Sequence, residues 1–170
     1  NLTSATKLTG VCLFADDWHQ GVIGIVASRI KDQLHRPVIA FAQTSDSEMK
    51  GSARSIHGLH IRDALAAIDA QHPGLIKKFG GHAMAAGLTI ESIQFETFAR
   101  LFDDQARLSL SKEDLEQVLV SDGELKVDVT LGLVREILQL IPWGQGFPEP
   151  LFDDEFILSV SISSSTVNLL

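Results

Sequence analysis

The sequence has a single cysteine, Cys12, among 170 residues, so an internal disulfide bond cannot form. Cys12 stands in an apolar run, where a buried structural thiol is the expected state. No apolar run reaches the roughly 18 residues that a membrane-spanning helix requires, and the N-terminus does not look like a signal peptide. With 45% hydrophobic residues, this composition is typical of a soluble intracellular globular protein, and we expect it to be cytoplasmic and without membrane contact.

Sequence motifs of several common enzyme classes are also missing. There is no cysteine pair, and the six histidines show neither His-x3-His nor His-Glu-x-x-His spacing, so the sequence predicts no metal site within this chain. The Gly-x-Ser-x-Gly motif of serine hydrolases and the P-loop of nucleotide triphosphatases do not occur either. Neither of these two activities therefore has support from the residues.

Charge is divided unevenly along the chain, whose net charge is −8. Residues 1–90 contain nine lysines and arginines against seven acidic residues, whereas residues 91–170 contain five against fifteen. Binding to nucleic acid depends on neutralising phosphates, so it is unfavourable for the second part but not for the first. The change in composition also predicts a boundary near residues 108–117, between a domain at 1–108 and a second one at 109–170.

Apolar spacing predicts alternating strands and helices in the first domain. The predicted strands are 11–15, 38–42, 50–56 and 86–90, and the predicted helices are 21–34, 61–70 and 95–108, with a polar loop at 43–48. This alternation is typical of an α/β fold in which a layered sheet has flanking helices. The second domain is predicted to contain a helix start or polar linker at 111–114, a strand at 118–120, a helix that ends at Pro142, and a strand at 156–162.

The segment KKFGGHAMAAG, residues 77–87, is the most informative stretch. Two adjacent glycines allow a sharp turn, and the small residues after His82 fit a short helix. Such a helix start would direct backbone N–H groups and the imidazole at a phosphate-sized anion. Two alternatives remain open from the residues alone. Gly80 and Gly81 could form an ordinary turn, and Lys77 or Lys78 could lie at a solvated helix end.

Two further segments could contribute to an anion site. In the strand at 50–56, Ser52 and Arg54 share a face, and a guanidinium beside a hydroxyl suits a terminal phosphate. The alternative is a surface strand with a solvated arginine. In the run WHQGVIGIVASRI, residues 18–30, glycines stand at the mouth of a helix. These glycines could contact an anion, or they could instead allow the helix to pack closely against a sheet. His19 is either a polar contact or an exposed bystander. Arg29 could extend to solvent.

The stretch PWGQGFPEP, residues 142–150, has two interpretations. Its aromatic residues could stack on bases, as in an OB-fold that binds single strands. Alternatively, the stretch is a rigid turn that packs Trp143 between two domains. The acidic charge of this half favours the turn and leaves room for docking of a protein partner.

These segments, in this order, resemble the DHH-associated domain of RecJ-like exonucleases, a family within the DHH phosphoesterase superfamily. The resemblance extends from about residue 13 to 156, where the PWGQGFPEPLF stretch looks like the start of an OB-fold domain. It implies that Ser52 and Arg54 line a pocket for the 5′ phosphate of single-stranded DNA and that Arg29 is a second clamp. It also implies that His82, with Gly80 and Gly81, reaches toward the scissile phosphate. His19 is carried over as a substrate contact.

The resemblance further implies an exonuclease that degrades single-stranded DNA from its 5′ end. Its Mn²⁺ or Mg²⁺ would be held by a DHH domain, and we expect that domain to precede this chain and the rest of the OB-fold to follow it. The chain alone is then expected to be inactive, and its partners to be single-stranded DNA and a DNA-repair protein on the acidic half. Two alternatives remain: an oligonucleotide or cyclic-dinucleotide phosphodiesterase of the same superfamily, and a non-enzymatic module that binds nucleic acid or protein.

Overall fold

The computed structural model describes residues 8–118, 120–140, 143–144, 147–153, 160–163 and 166–169. The chain divides into two compact units, Asn1–Gln117 and Val118–Leu170. No helix in the described ranges is long and apolar enough to cross a lipid bilayer.

The described residues of the first unit, 8–117, contain five strands and three α-helices. In chain order they are β1 (Val11–Phe14), α1 (Ile23–Leu34), β2 (Val38–Ser45), β3 (Glu48–Arg54), α2 (Ile61–Gln71), β4 (Ile76–Gly81), β5 (Ala85–Glu91) and α3 (Phe95–Ser109). Short 3₁₀ turns stand at Ser92–Gln94 and Glu113–Leu115. The strands form one sheet in the order β1-β2-β3-β5-β4, in which β1 and β2 are parallel and all other pairs antiparallel. The predicted α/β class is confirmed.

One face of the sheet is covered by α2 and α3. Alternate residues of β2 and β5, such as Phe41 and Ile90, point to this side and are fully buried. From α3, Phe98 and Phe102 enter the same core, and the Phe98 ring meets the edge of Phe41 at 5.7 Å between centroids. These residues form the main hydrophobic core. Because side chains alternate along a strand, burial of one set on this side determines which residues lie on the opposite face.

The opposite face is covered only in part. Helix α1 packs Ile23 and Ala27 onto Val11, Val38 and their apolar neighbours in β1 and β2. The remaining part, which we call the open face, is the same side of β3, β5 and β4 beyond α1. Its residues are polar, charged or small, and they are half-buried or exposed: Lys50, Ser52, Arg54, Lys78, Gly80, Ala85, Gly87 and Thr89.

The start of β1 is fixed to α3 by a buried carboxylate. Asp103 Oδ1 accepts hydrogen bonds from the backbone N–H groups of Thr9 at 2.7 Å and Gly10 at 3.0 Å. Its Oδ2 accepts two more from the Arg107 guanidinium, at 2.7 and 3.0 Å. Only 8% of Asp103 is exposed. Because a buried charge is costly unless its oxygens are fully paired, this network holds the edge strand in place.

The second unit contains one α-helix and one hairpin among its described residues. Helix α4 (Leu131–Leu140) begins at Thr130, whose hydroxyl accepts the Leu133 N–H at 3.2 Å. Strands β6 (Val160–Ser163) and β7 (Thr166–Leu169) pair antiparallel. Between α4 and β6 in the chain, the rings of Trp143 and Phe147 stack on each other at 5.0 Å between centroids. The predicted helix is therefore present.

Several predicted boundaries were wrong or lie outside the described residues. The loop at 43–48 is mostly strand, because β2 continues to Ser45 and β3 begins at Glu48. Val118 and Val120 are not in a strand, and the residue between them lies outside the described ranges, as do Pro142 and residues 156–159 of the predicted last strand. At Ser111, the hydroxyl accepts the Asp114 N–H at 3.2 Å, so the predicted cap precedes a 3₁₀ turn rather than an α-helix.

The main correction concerns the Gly-Gly-His segment. The short helix expected after His82 does not form, because β4 continues to Gly81 and β5 begins at Ala85, so residues 82–84 are the tip of a β-hairpin. Alanine has a high helix propensity, but propensity is readily overridden by tertiary context, and here pairing of β5 with both β3 and β4 outweighs it.

Candidate functional site

Arg54 is the central cation of the open face. It ends β3, and its Nη1 donates to Ser52 Oγ at 3.2 Å and to the Ala53 carbonyl oxygen at 2.8 Å. Because Ser52 and Arg54 are two residues apart on one strand, their side chains share a face, as the sequence predicted. Within the described ranges, Arg54 has no carboxylate within ion-pairing distance. Its charge is therefore free to meet an anionic ligand.

Helix α1 supplies the second wall of the site. An open cavity of about 610 Å³ lies between this helix and the end of β3. Most of its lining residues lie on one side of α1 and the turn before it, spaced three or four positions apart, and one comes from β3. They are Gly21, Gly24, Ile25, Ser28, Arg29 and Arg54. Arg29 is exposed and, in the described part of the chain, also lacks an acidic partner. Two guanidinium groups and a hydroxyl thus border one cavity.

Gly24 allows the helix to lie close to β3. A Cβ atom at this position would be 3.0 Å from Arg54 Nη2 and 3.4 Å from Ser52 Oγ. The first contact is tighter than a Cβ atom normally makes, and the second is an ordinary van der Waals contact. The close packing of helix and sheet predicted for this glycine is thus a packing against the two polar side chains of the site.

The first turn of α1 adds backbone donors to the same cavity. Val22 precedes the helix, and its side chain provides no hydrogen bond to the free N–H groups of the first turn. An uncapped helix start carries a partial positive charge, which favours anions. Together with Arg29 and Arg54, it gives the cavity a positive potential.

His19 stands apart from this cavity. Its side chain is exposed, and its Nδ1 accepts the Gly21 N–H at 3.1 Å in the turn before α1. His19 is not among the residues that line the cavity. Its visible role is to shape the loop that leads into the helix.

The Gly-Gly-His segment forms the neighbouring strand and hairpin tip. Gly81 has a φ of +150°, and a Cβ there would collide with the Ala85 carbonyl oxygen at 2.4 Å, so only glycine fits. Beyond it, the His82 N–H donates to the Ala85 carbonyl at 2.8 Å. The His82 side chain is exposed. The hairpin thus presents an accessible imidazole directly after a turn that requires glycine.

Register places His82 beside Arg54 across the sheet. Arg54 is opposite Ala85 in the β3–β5 pair, and the Ala85 carbonyl oxygen accepts a hydrogen bond from the His82 N–H. Arg54 ends β3, Ala85 begins β5 and His82 directly follows β4, so the three residues form one row across the sheet, and the Arg54 and His82 backbones are two strand spacings, about 10 Å, apart. Ser52, Gly87 and Gly80 form the next row in the same way. The predicted residues of distant segments are therefore neighbours in the fold.

Backbone hydrogen bonds hold the hairpin tip in this position. The Ala83 carbonyl accepts the Ile61 N–H at the start of α2, and the Met84 carbonyl accepts the Ser55 N–H just after β3, both at 2.9 Å. Ser55 is itself buried, and its hydroxyl donates to the Leu59 carbonyl at 2.7 Å. The tip and the end of β3 consequently move as one piece.

The two lysines before the glycines have different environments. Lys77 Nζ lies 2.9 Å from Glu48 Oε1 and 3.1 Å from Glu91 Oε1, and hydrogen bonds to these carboxylates raise the pKa of Lys77. Lys78 is exposed and has no ion pair in the parts of the chain that the structure describes. Lys78 is therefore the lysine with charge available for a ligand.

Sequence reasoning missed two lining residues, namely Ile25 and Ser28. The signal that could have identified them is their helical spacing from Arg29, since positions 21, 24, 25 and 28 lie on one side of a helix. Within the described residues, no group of three or more His, Cys, Asp or Glu side chains could hold a metal ion. The arrangement offers cations, a hydroxyl and backbone donors, which are the groups that bind phosphate.

A family model and several known proteins match the chain. Residues 7–108 match the family described as DHHA1 domain. Over 159 residues the chain is 54% identical to the single-stranded-DNA-specific exonuclease RecJ of Haemophilus influenzae, covering 92% of this chain and 28% of that protein. It is 49% identical to the Escherichia coli protein of the same name over 150 residues, covering 88% and 26%. The chain thus spans about a quarter of the length of these curated relatives.

Solved structures agree with this match. The crystal structure of RecJ from Thermus thermophilus in complex with Mg²⁺ superimposes with a TM-score of 0.66 at 31% identity, covering 86% of this chain and 22% of that one. The structure of the same protein in complex with Mn²⁺ gives a TM-score of 0.61 at 29% identity, covering 86% and 21%. The layered sheet and its helices therefore occur in those larger proteins.

Proposed function

The chain belongs to the DHHA1 domain family, and we propose that it forms the substrate-binding part of a 5′-to-3′ single-stranded-DNA exonuclease. The observation that carries this proposal is the cavity between α1 and β3. Arg29 and Arg54 both line it, and neither has an acidic partner in the described residues. A dianionic terminal phosphate fits such a site. Relatives named as single-stranded-DNA-specific exonucleases support the choice of substrate.

The proposed ligand of the cavity is the 5′-terminal phosphate. Arg54 would bind two phosphate oxygens through its guanidinium edge, because this planar group matches the geometry of two oxygens. Ser52 would contribute its hydroxyl, which already lies 3.2 Å from Arg54 Nη1. Arg29 would close the cavity from the helix. The free N–H groups of the first turn of α1 add to the attraction.

The neighbouring hairpin would then face the next phosphate of the strand. His82 lies about two strand spacings, roughly 10 Å, from Arg54, which leaves room for a nucleotide between the two groups. We propose that its imidazole stabilises the charge that develops on the scissile phosphate by hydrogen bonding. Gly80 and Gly81 would let the strand approach the backbone closely.

The hydrolytic water is assigned to another domain of the exonuclease. Related structures contain Mg²⁺ or Mn²⁺, and we propose that one of these ions supports hydrolysis in the whole enzyme, held by a DHH domain. The part of the chain that the structure describes would supply no metal ligands. Its contribution is to hold the 5′ end and to orient the scissile bond toward that centre.

The acidic second part is proposed to have a different role. We propose that residues 109–170 form a linker helix and the first part of an OB-fold domain, after the DHHA1 domain. With three basic and eleven acidic residues at 109–170, this part is unfavourable for tracking phosphates. A DNA-repair protein with a basic surface is its proposed partner.

The test compares 5′-phosphorylated and 5′-hydroxyl single-stranded oligonucleotides of equal length. Binding to the 170-residue chain is measured by fluorescence anisotropy at fixed low salt, for the natural chain and for Arg54→Ala. Loss of a charge-assisted pair of hydrogen bonds costs about 2 kcal/mol, so affinity for the phosphorylated strand should fall roughly 30-fold. Affinity for the 5′-hydroxyl strand should change much less. Arg100→Ala, on the exposed side of α3, is the control with the same change in charge.

The same assay separates the competing functions. A cyclic dinucleotide has no terminal phosphate, so preferential binding of that ligand would replace the exonuclease proposal with a cyclic-dinucleotide phosphodiesterase. Equal affinity of the natural chain for both oligonucleotides would remove the terminal phosphate as the ligand. Equal losses in Arg54→Ala and Arg100→Ala would show that only overall charge matters.

A further inference from the structure

The open face has a second set of charged residues, beyond the cavity of Arg54. Along β3, residues on this face are Arg54, Ser52 and Lys50, and each is paired across the sheet with a residue of β5. Lys50 is opposite Thr89, and Thr89 is opposite Lys78 in β4. The face therefore has three successive rows: a lysine row, a glycine row containing Gly87 and Gly80, and the row of Arg54 and His82.

The glycines of the middle row have no function in the fold itself. A Cβ at Gly80 would meet no atom within 4 Å, and one at Gly87 would come no nearer than 3.9 Å to the Gly51 carbonyl oxygen. Neither residue has a positive φ. Glycine weakens a strand interior, and its presence there often marks close approach of a ligand or of another backbone. These two glycines form the floor of an open groove.

The lysine row makes the groove cationic at the end away from Arg54. Lys50, Lys78 and Thr89 line an open cavity of about 390 Å³ together with both glycines. Lys50 Nζ donates to Gln20 Oε1 at 3.1 Å, which holds it near α1 without neutralising it. Neither lysine has an acidic partner in the described ranges. Two positive charges thus face a groove that has a hydroxyl but no carboxylate among its lining residues.

We propose that Lys50, Lys78 and Thr89 form a second phosphate subsite, which binds an internal phosphate of the strand whose 5′ end is held by Arg54. This inference rests on the function proposed above. Lys50 and Arg54 are four residues apart on β3, about 14 Å, and the glycine floor between them has space for a sugar and its base. The occupant is a single nucleic-acid strand rather than a protein segment, because the groove is positive at both ends and bare between them.

Acidic residues limit how far the strand can follow this path. The row beyond Lys50 contains Glu48 opposite Glu91, with Lys77 bonded to both carboxylates. That row keeps one negative charge in excess, so it repels a further phosphate. The groove is therefore closed electrostatically after the lysine row, and it accommodates a short length of strand next to the 5′ end.

The test uses a double variant, Lys50→Ala with Lys78→Ala, and two ligands. A 5′-phosphorylated mononucleotide fills only the Arg54 cavity, whereas a 5′-phosphorylated hexanucleotide reaches both subsites. We expect the hexanucleotide to bind roughly tenfold more weakly to the double variant, with no change for the mononucleotide. The slope of log affinity against log salt should become shallower by about 0.7, the value for one phosphate on a single strand. Arg100→Ala with Lys112→Ala removes the same charge elsewhere and is the control.

A second variant keeps every cation and fills the groove instead. Gly87→Val adds a side chain where the fold has space, so the melting temperature should not fall, while hexanucleotide binding should weaken severalfold. If the double lysine variant loses no more affinity than its control, or if Gly87→Val binds the hexanucleotide as the natural chain does, the second subsite is wrong. If the natural chain binds neither ligand, the proposed function fails as well, and the two failures are thereby distinguished.

Discussion

Gly24→Ala separates binding from stability in a way that few substitutions at this site can. Gly24 is the second residue of α1. The three atoms nearest to a Cβ added there are Arg54 Nη2 at 3.0 Å, Ser52 Oγ at 3.4 Å and Arg54 Cζ at 3.9 Å. The added methyl group therefore pushes on the guanidinium that is proposed to hold the phosphate, whereas its contact with the Ser52 hydroxyl is an ordinary one. Arg54 gives way by a few tenths of an ångström, which shifts its guanidinium relative to Ser52.

The expected magnitudes have opposite signs. A charge-assisted hydrogen bond contributes about 1.5–3 kcal/mol; displacement of Arg54 weakens it without removing it, so a loss of about 1 kcal/mol, roughly fivefold in affinity, is expected for a 5′-phosphorylated strand. Replacing glycine by alanine in a helix favours folding by up to about 1 kcal/mol. The variant should therefore melt at the same or a slightly higher temperature than the natural chain while it binds more weakly.

Affinity is measured by anisotropy with 5′-phosphorylated and 5′-hydroxyl strands, and stability by thermal melting followed by circular dichroism. Gly132→Ala is the matched control, because Gly132 is the second residue of α4 and its nearest neighbour would be Thr130 Oγ1 at 3.7 Å. The control should keep full affinity. A Gly24→Ala chain that melts as expected and retains its preference for the 5′ phosphate would refute the role given to the Arg54–Ser52 pair.

Three further predictions concern other parts of the first unit. Asp103→Asn should lower the free energy of unfolding in urea by about 1.5 kcal/mol, because the hydrogen bonds of Arg107 to a buried carboxylate are lost while Arg107 itself stays half exposed. The exposed Asp104→Asn should have little effect, and equal stability of the two variants would contradict the network. Burial, and to a lesser extent the charge of Asp103, raises the pKa of Cys12 well above 9.0. The folded state therefore keeps the thiol proton at a pH where the unfolded state loses it, so stability should fall as the pH rises past 9.0. Cys12→Ala should abolish this effect. In the whole protein, under the exonuclease activity proposed above, His82→Gln should lower kcat about 100-fold with little change in KM; an equal rise in KM with unchanged kcat would make His82 a binding residue only.

The fold of the first unit could largely be predicted from the sequence, because its strands and helices have clear apolar periods. The short apolar strand at 38–42 is one example, since all five of its residues are buried. Phe98 and Phe102 of α3, which are four residues apart and both buried, are another. The hairpin at the Gly-Gly-His segment could not be predicted. The strand predicted at 86–90 is present as β5, but β4 (Ile76–Gly81) was not predicted, because its residues have no clear alternating pattern and it pairs only with β5.

The site was predictable as a set of residue types but not as an arrangement. Ser52 and Arg54 follow from strand alternation, which needs only the order of the residues. That α1 contributes Gly24 and Ser28 to the same cavity depends on how the helix packs on β2 and β3, and this is decided by side chains such as Ile23 and Ala27. The position of His82 depends on pairing between strands that are distant from β3 in sequence.

The attachment of the hairpin tip through carbonyl oxygens has a consequence for how this domain can diversify. Since Ala83 and Met84 are bound by their main chain, the identity of their side chains is almost irrelevant to where the imidazole stands. The exposed side chain of Met84 can thus be replaced without moving the main chain that positions His82. Gly81, whose substitution would collide with the opposite strand, has no such freedom.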